Sequence, residues 1–234
     1  MVENKIIDFN FDYNYKKHPD IKGLHIVNGK NNFPISWLNQ QGYCEYTLYL
    51  QYFKDIPTVS TKAMVEGTKE HRILDEKFKE NASPGTFEDI LISSKKKKAI
   101  SREVFITSQE YGIRGFIDEL WMTPKEFVII DDKPGTIAYP SSINQISAYA
   151  LVFKDIIHIN EIKDKRKIKI ALRERGKDNI FWLEEFDENM EENIKFLINR
   201  MHGLFNGIKP FIPTKNGNKC KPCRFNSYCE HCLL

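Results

Sequence analysis

Two carboxylates and a lysine lie close together in the middle of the chain. Asp118 ends the stretch that begins at Gly115, and Asp131 and Lys133 follow a run of apolar residues. Carboxylates on neighbouring strands can meet across a sheet and offer the hard oxygen ligands that Mg²⁺ or Mn²⁺ binds. In an extended chain Lys133 points the same way as Asp131, where it can orient water and offset negative charge in a phosphoryl transition state. The alternative is an ordinary polar turn, since a Pro-Gly pair follows.

Two predicted helices carry polar side chains that could complete such a site. His71 lies on the apolar stripe of one helix, one turn after Gly67. An inward-facing histidine is most often a core residue, but near carboxylates it can ligate a metal. Gln145 and Tyr149 share a face of the second helix. They are either the polar edge of an amphipathic helix or a pair that hydrogen-bonds a phosphate or a base.

In this order the four motifs resemble those of the PD-(D/E)XK nuclease superfamily, in its RecB-like branch. The matching pairs are Gly67 with His71, Gly115 with Asp118, Asp131 with Lys133, and Gln145 with Tyr149. The resemblance extends over residues 36–232. It implies that Mg²⁺ or Mn²⁺ is held by His71, Asp118, Asp131 and the main-chain carbonyl of Asp132. It also implies that Lys133 acts in catalysis with the two aspartates Asp118 and Asp131, and that Gln145 and Tyr149 position the nucleic acid.

Four of the five cysteines crowd the C-terminal tail, at Cys220, Cys223, Cys229 and Cys232. In a reducing compartment this spacing favours metal binding over disulfides, and the tail alone could form a zinc site. Zinc ribbons, however, usually leave more residues between their two pairs. The arrangement resembles the CRISPR-associated protein four family, which has one early cysteine and then Cys-x2-Cys-x5-Cys. This resemblance implies a [4Fe–4S] cluster on Cys44, Cys220, Cys223 and Cys229, with Cys232 as a departure from the pattern.

Charge and hydropathy exclude few classes of protein. A net charge of +3 neither demands nor excludes a polyanionic partner. Basic residues are concentrated in two runs, which are either solvated surface or nucleic-acid contacts. These runs are Lys95, Lys96, Lys97 and Lys98, and residues 163–169. No segment has the apolar length of a membrane span and the N-terminus lacks a secretory pattern, so we expect a cytoplasmic protein with no membrane partner.

The periodicity predicts an α/β core with a mixed sheet, which the resemblance makes restriction-endonuclease-like, followed by a cysteine-rich segment. Helices are predicted over 37–53, from 60 or 61 to 80, 142–153 and 187–205. Strands are predicted over 103–107, 113–122, 126–131, 156–159, 167–172 and 180–183. We divide the chain into an N-terminal extension (1–33), a nuclease-like core (34–206) and the cysteine segment (207–234).

The resemblance implies a metal-dependent exonuclease on single-stranded DNA, acting in CRISPR spacer acquisition or DNA repair. One alternative is a non-catalytic partner in spacer acquisition, which binds DNA and CRISPR integrase proteins without cleaving. A second is a zinc-dependent nucleic-acid-binding module. The sequence leaves cleavage polarity, pathway and oligomeric state open.

Overall fold

The chain folds around a central mixed β-sheet flanked by helices, as the sequence predicts. The computed structural model describes residues 2–9, 11–57, 62–159 and 164–234. The strands are β1 (Glu3–Asp8), β2 (Tyr15–Lys17), β3 (His25–Val27), β4 (Lys30–Pro34), β5 (Ser83–Thr86), β6 (Ala99–Ser108), β7 (Ile113–Met122), β8 (Glu126–Lys133), β9 (Lys167–Glu174) and β10 (Ile180–Glu185). Strands β6, β7 and β8 are antiparallel, β9 runs parallel to β8, and β10 lies antiparallel beside β9.

The sheet forks at β7. One edge of this strand pairs with β6 from end to end. The other edge pairs with β4 at Ile113 and Arg114 and with β8 from Glu119 onward. In the part of the chain that the structure describes, residues 115–118 therefore have no strand partner on that edge. The motif from Gly115 to Asp118 occupies this opening.

Helices cover the sheet and close its core. They are α1 (Ser36–Tyr43), α2 (Glu45–Leu48), α3 (Lys62–Glu80), α4 (Phe87–Ser94), α5 (Pro140–Ile159), α6 (Glu188–Phe205) and α7 (Gly217–Cys220), with a π-helical turn at Tyr49–Phe53 after α2. The apolar face of α5 is fully buried at Ile146, Ala150 and Phe153. Residues 127–130 of β8 are buried on both faces, as expected of a central strand.

One predicted strand is wrong, because residues 156–159 form the last turn of α5. Ile156 and Ile157 continue the buried face of that helix, and no glycine or proline interrupts it. The helix predicted over 37–53 is broken at Cys44, whose extended backbone (φ −169°, ψ 116°) separates α1 from α2. The predicted helix start at residue 60 or 61 lies outside the described residues.

The strands within the predicted N-terminal extension belong to the same sheet. β1 lies parallel to β6, and β4 lies parallel to β7. The division of the chain into three parts stays a prediction. Within the described ranges, no helix is both long and apolar enough to cross a membrane.

Candidate metal site and nucleic-acid cleft

The β6–β7 hairpin brings two carboxylates face to face. Arg102 pairs with Glu119 and Val104 pairs with Ile117, so Glu103 lies across from Asp118. Glu103 has a positive φ of 47°, which a non-glycine residue rarely adopts. Like charges directly opposite each other destabilise an antiparallel pair. This position of the sheet therefore favours a cation between the two strands.

His71 of α3 completes this group. Its Nδ1 lies 3.4 Å from Oε1 of Glu103 and 4.0 Å from Oδ1 of Asp118. One ligand atom from each of the three residues lies within 4.8 Å of the other two. We call the opening that they line, of about 510 Å³, the acidic cleft. It is wide enough to admit a ligand from solvent.

The charges of the acidic cleft perturb one another. Burial raises the pKa of Asp118 well above its ordinary value, and repulsion from Asp131 adds to that effect. Contact with Glu103 raises the pKa of His71, although burial opposes it. Oδ2 of Asp118 accepts a hydrogen bond of 2.7 Å from the main-chain N–H of Asp132. That bond fixes the carboxylate relative to β8.

A chain of polar contacts runs from β8 to α5 beside the acidic cleft. Nζ of Lys133 lies 2.6 Å from Oδ2 of the buried Asp131 and donates to Oε1 of Gln145 at 3.2 Å. The side-chain amide of Gln145 in turn donates to the hydroxyl of Tyr149 at 3.5 Å. The structure thus links these four residues side chain to side chain, and their roles in catalysis and nucleic-acid positioning stay predictions.

Gly115 allows Tyr149 to approach the fork in the sheet. A Cβ at position 115 would lie 2.8 Å from Cε1 of Tyr149, closer than packed carbon atoms tolerate. The hydroxyl of Tyr149 is buried near two carboxylates, and this burial, reinforced by Asp131 and Asp118, raises its pKa well above the ordinary value. The phenol therefore stays protonated and can donate a hydrogen bond into the cleft.

Asp132 points to the opposite face of the sheet. Its side chain lies in a buried quartet of two carboxylates and two guanidinium groups, made of Glu119, Asp132, Arg102 and Arg173. Arg173 bonds to Asp132 at 2.7 Å and to Glu119 at 2.9 Å. Burial alone would raise the pKa of Asp132, but the two arginines outweigh it and lower the pKa. The quartet holds the end of β8, where Asp131 and Lys133 turn the other way.

The main-chain carbonyl of Asp132, which the resemblance makes a metal ligand, accepts a hydrogen bond of 3.3 Å from Nη2 of Arg175. A carbonyl oxygen has a second lone pair, so this bond leaves room for another partner. Its role as a metal ligand stays a prediction.

The five cysteines line one small pocket between the α1–α2 break and the tail, which we call the cysteine pocket. All five thiols are free. Burial raises the pKa of Cys223 and Cys229, and the neighbouring thiols, Cys44 among them, add to that effect. Bound metal would remove this penalty, because it ligates the thiolate form.

Other contacts also fasten the tail to the first helices. Phe225, which is 1% exposed, packs in a small cluster with Tyr46 and Leu50. The ammonium of Lys219 donates to the main-chain carbonyls of Gly42 and Tyr43 at 3.1 and 3.0 Å. The tail therefore meets the chain on both sides of Cys44.

The lysine run lies between the end of α4 and the start of β6. Lys95 and Lys96 are exposed, whereas Lys97 pairs with Glu3 at 2.6 Å. The ammonium of Lys98 lies 3.2 Å from the ring centroid of Trp121, on the face of the sheet opposite the acidic cleft. Two of the four lysines thus have protein partners, and nucleic-acid binding by the run stays a prediction.

Sequence reasoning missed two residues at this site, Glu103 and Arg175. Glu103 could have been found by counting back from the turn between Ser108 and Ile113, since that turn sets the register opposite Asp118. No sequence signal distinguishes Arg175 from the other arginines. Its position depends on the loop after β9.

The solved structures that are similar to this chain include two that match over most of its length. One, SSO0001, is 16% identical, covers 89% of this chain and 90% of its own, and has a TM-score of 0.43. The other, named "Putative exonuclease" from Eubacterium rectale, is 12% identical, covers 87% and 89%, and has a TM-score of 0.45. Similarity at this level does not bear on what this chain does. No known protein family and no curated protein matches the sequence.

Proposed function

We propose that this protein is a metal-dependent nuclease that hydrolyses phosphodiester bonds in DNA. The observation that carries the proposal is the group of His71, Glu103 and Asp118, whose ligand atoms converge within 4.8 Å in an open cleft. Asp131 and Lys133 stand beside it, joined at 2.6 Å. Carboxylates with one imidazole suit Mn²⁺, and carboxylates with water suit Mg²⁺.

Two buried atoms of the acidic cleft have electron pairs that a bound cation would accept. Nδ1 of His71 and Oε1 of Glu103 are buried and lie 3.4 Å apart, and neither makes a well-formed hydrogen bond among the described residues. Buried polar atoms without partners are rare in folded proteins and call for an explanation. A divalent ion between β6, β7 and α3 would satisfy both atoms and offset the charge of Asp118.

A divalent cation bound there would supply Lewis-acid polarisation of a phosphoryl oxygen and lower the pKa of a water molecule. The protein contributes the positioning. Asp131 and Gln145 hold the ammonium of Lys133 between them, where it offsets negative charge growing on the phosphoryl group. Tyr149 fixes the amide of Gln145, and the quartet around Asp132 holds β8 in place.

Action on single strands and from an end, and a place beside CRISPR integrase proteins in spacer acquisition, rest on the resemblance of the motifs. The structure adds one supporting feature for the nuclease. The acidic cleft opens at the fork of the sheet, where Gly115, Phe116 and Asp118 line it.

The test is cleavage of end-labelled single-stranded DNA by protein purified without oxygen, with Mn²⁺ or with a chelator. The wild type should cleave only with Mn²⁺, and Glu103→Gln, Asp131→Ala and Lys133→Ala should each lose about 100-fold or more. Glu126→Gln is the matched control, because Glu126 lies on β8 like Asp131 but pairs with Lys169 at 2.8 Å. Equal activity in all variants would contradict the proposal. Binding without cleavage would favour the non-catalytic partner.

We further propose that the cysteine pocket binds a [4Fe–4S] cluster. In a tetrahedral zinc site the thiolate sulfurs stand about 3.8 Å apart, because each Zn–S bond is about 2.3 Å. Among the described residues no three sulfurs lie within 4.8 Å of one another. A cluster with iron atoms at the corners of a cube accepts thiolates that stand further apart. The spread of the thiols around one pocket supports the cluster over zinc.

Two matched variants distinguish an iron–sulfur cluster that uses Cys44 from a zinc site that uses Cys232. If Cys44 is a cluster ligand, Cys44→Ser should lose iron and acid-labile sulfide, whereas Cys232→Ser should retain both. A zinc site made of the four tail cysteines requires the reverse, with zinc lost on changing Cys232 and retained on changing Cys44. Metal and sulfide analysis of anaerobically prepared protein measures both outcomes.

A further inference from the structure

We propose that Arg175 binds a phosphate of the nucleic-acid strand beside the acidic cleft, an assignment that rests on the proposed nuclease function. Arg175 follows the last residue of β9, and its main-chain N–H donates to the carbonyl of Lys133 at 2.9 Å. The backbone of this arginine is therefore fixed to the strand that carries Asp131 and Lys133.

The guanidinium of Arg175 bridges from β8 to α3. Its Nη2 donates to the carbonyl of Asp132 at 3.3 Å. On the other side it packs against Gly67, one helical turn from His71, so closely that a Cβ at position 67 would collide with Nη1. Gly67 thus leaves the space that the guanidinium occupies. The charge lies between the His71 side and the Lys133 side of the site.

No carboxylate of the described residues forms an ion pair with Arg175, and its Nε is buried without a hydrogen-bond partner. Three other buried or partly buried arginines differ. Arg102 and Arg173 face carboxylates in the quartet, and Arg200 pairs with Glu45. A partly buried guanidinium without an anion is costly, because desolvation of its charge is not offset. No carboxylate of the described residues supplies this anion, which leaves the guanidinium open to an anion from outside the protein.

Arg175 also lines a groove of about 840 Å³ that leads from Lys133 to the cysteine segment. We call it the basic groove, because its cations are Lys133, Arg175 and Lys219 and no carboxylate lines it. A planar guanidinium can donate two parallel hydrogen bonds to a phosphate, a geometry that an ammonium cannot reproduce. A nucleic-acid phosphate in this groove supplies the anion that Arg175 lacks.

The test measures binding without cleavage. Fluorescence anisotropy of a short labelled single-stranded DNA in EDTA gives the dissociation constant over a series of salt concentrations. Arg175→Ala should bind about tenfold more weakly, and the slope of log affinity against log salt should fall by about 0.7, the value for one lost phosphate contact on a single strand. Lys177→Ala is the control, because it removes the same charge from the same loop, where Lys177 pairs with Glu174 at 2.5 Å and is 63% exposed.

Arg175→Lys keeps the charge without the planar fork. This variant should retain the salt slope and lose part of the affinity. If Arg175→Ala does not fold, the loss of affinity in Arg175→Lys tests the assignment in its place. Affinity and slope equal to those of Lys177→Ala would overturn the assignment.

Cleavage with Mn²⁺ distinguishes failure of the phosphate-binding assignment from failure of the proposed nuclease function. If the wild type cleaves and Arg175→Ala binds normally, the nuclease stands and the assignment fails. If the wild type does not cleave but Arg175→Ala loses binding, the assignment stands and the nuclease fails.

Discussion

The acidic cleft and the cysteine pocket are held in different ways. The side chains of the cleft project from long elements, β6, β7, β8 and α3, and the buried quartet braces β8 from behind. The thiols of the pocket lie on a helix break and on a tail whose described secondary structure is the single turn α7. Rigid elements can hold a ligand set before the ligand arrives, whereas a short tail gains order from the ligand. We therefore expect the acidic cleft to keep its fold when the metal is removed, whereas the cysteine pocket should need bound metal to be ordered.

The largest expected effect is the loss of metal from the cysteine pocket. Metal bound by thiolates contributes on the order of 10 kcal/mol to small metal-dependent folds. Removing iron with a reductant and chelator should speed amide hydrogen exchange in residues 213–232 by about 100-fold or more, and leave β7 and β8 within about twofold. Exchange followed by mass spectrometry measures both regions in one sample. Equal protection of the tail before and after removal would contradict the comparison.

The next effect concerns the quartet. Asp132→Ala leaves Arg102 and Arg173 buried with one carboxylate, so the free energy of unfolding should fall by about 3–5 kcal/mol. Urea denaturation measures it. The partly exposed pair of Glu126 and Lys169 supplies the control, since Glu126→Gln should cost less than about 1 kcal/mol. A chelator added to the wild type should not reproduce the loss, because the quartet orders β8 without metal. A small effect of Asp132→Ala would mean that the cleft is not braced in this way.

Glycine-to-alanine changes should have a smaller effect on stability, and they compare how tightly the cleft and the cysteine segment are packed. Gly115→Ala should cost about 1–3 kcal/mol, because the new Cβ overlaps Tyr149. Gly135→Ala has nothing within 4 Å of its Cβ and should be nearly neutral. Gly217→Ala, at the start of α7, meets the carbonyl oxygen of Leu233 at 3.3 Å, which a small shift of the chain end relieves. Thermal melting of the three variants ranks them, and a larger loss at Gly217 than at Gly115 would reverse the comparison.

The smallest expected effect lies on α6, which pairs with α5 on one side and with the chain beside Cys44 on the other. Glu191 pairs with Lys154 of α5 at 2.5 Å, and Arg200 pairs with Glu45 beside Cys44. Burial would raise the pKa of Glu191, but hydrogen bonds from Lys154 and Lys195 outweigh it and lower the pKa below the ordinary 4.5. The stabilisation is therefore complete above the unfolded-state pKa and is lost as pH falls through the folded-state pKa.

Glu191→Gln should thus cost about 1 kcal/mol or less at neutral pH, because both lysines are partly exposed. The difference from the wild type should vanish in acid, below the folded-state pKa. Urea denaturation at several pH values measures it. A difference that grows as the pH falls would have the wrong sign and would show that the ion pairs are not its source.

Periodicity was sufficient for the mixed α/β core, because the buried strands β7 and β8 have strong apolar patterns. It failed at residues 156–159, where a short apolar run fits a strand and a helix equally well. The motif spacings selected His71, Asp118, Asp131 and Lys133, and the structure places His71 beside Asp118. Glu103 and Arg175 were missed because their importance depends on strand register and on a loop conformation, which are set by tertiary contacts and not by residue type.

The wide separation of Cys44 from the other four cysteines has a consequence for protein synthesis. A chain made from its N-terminus contains every residue of the acidic cleft, and the strands around it, before Cys220 leaves the ribosome. The sheet can then form before the tail cysteines are available to bind metal together with Cys44. A nascent chain that lacks the residues after α6, and is held on the ribosome by a linker longer than the exit tunnel, would have every residue of the cleft and no cysteine pocket. Such nascent chains would show whether the sheet folds without help from the tail.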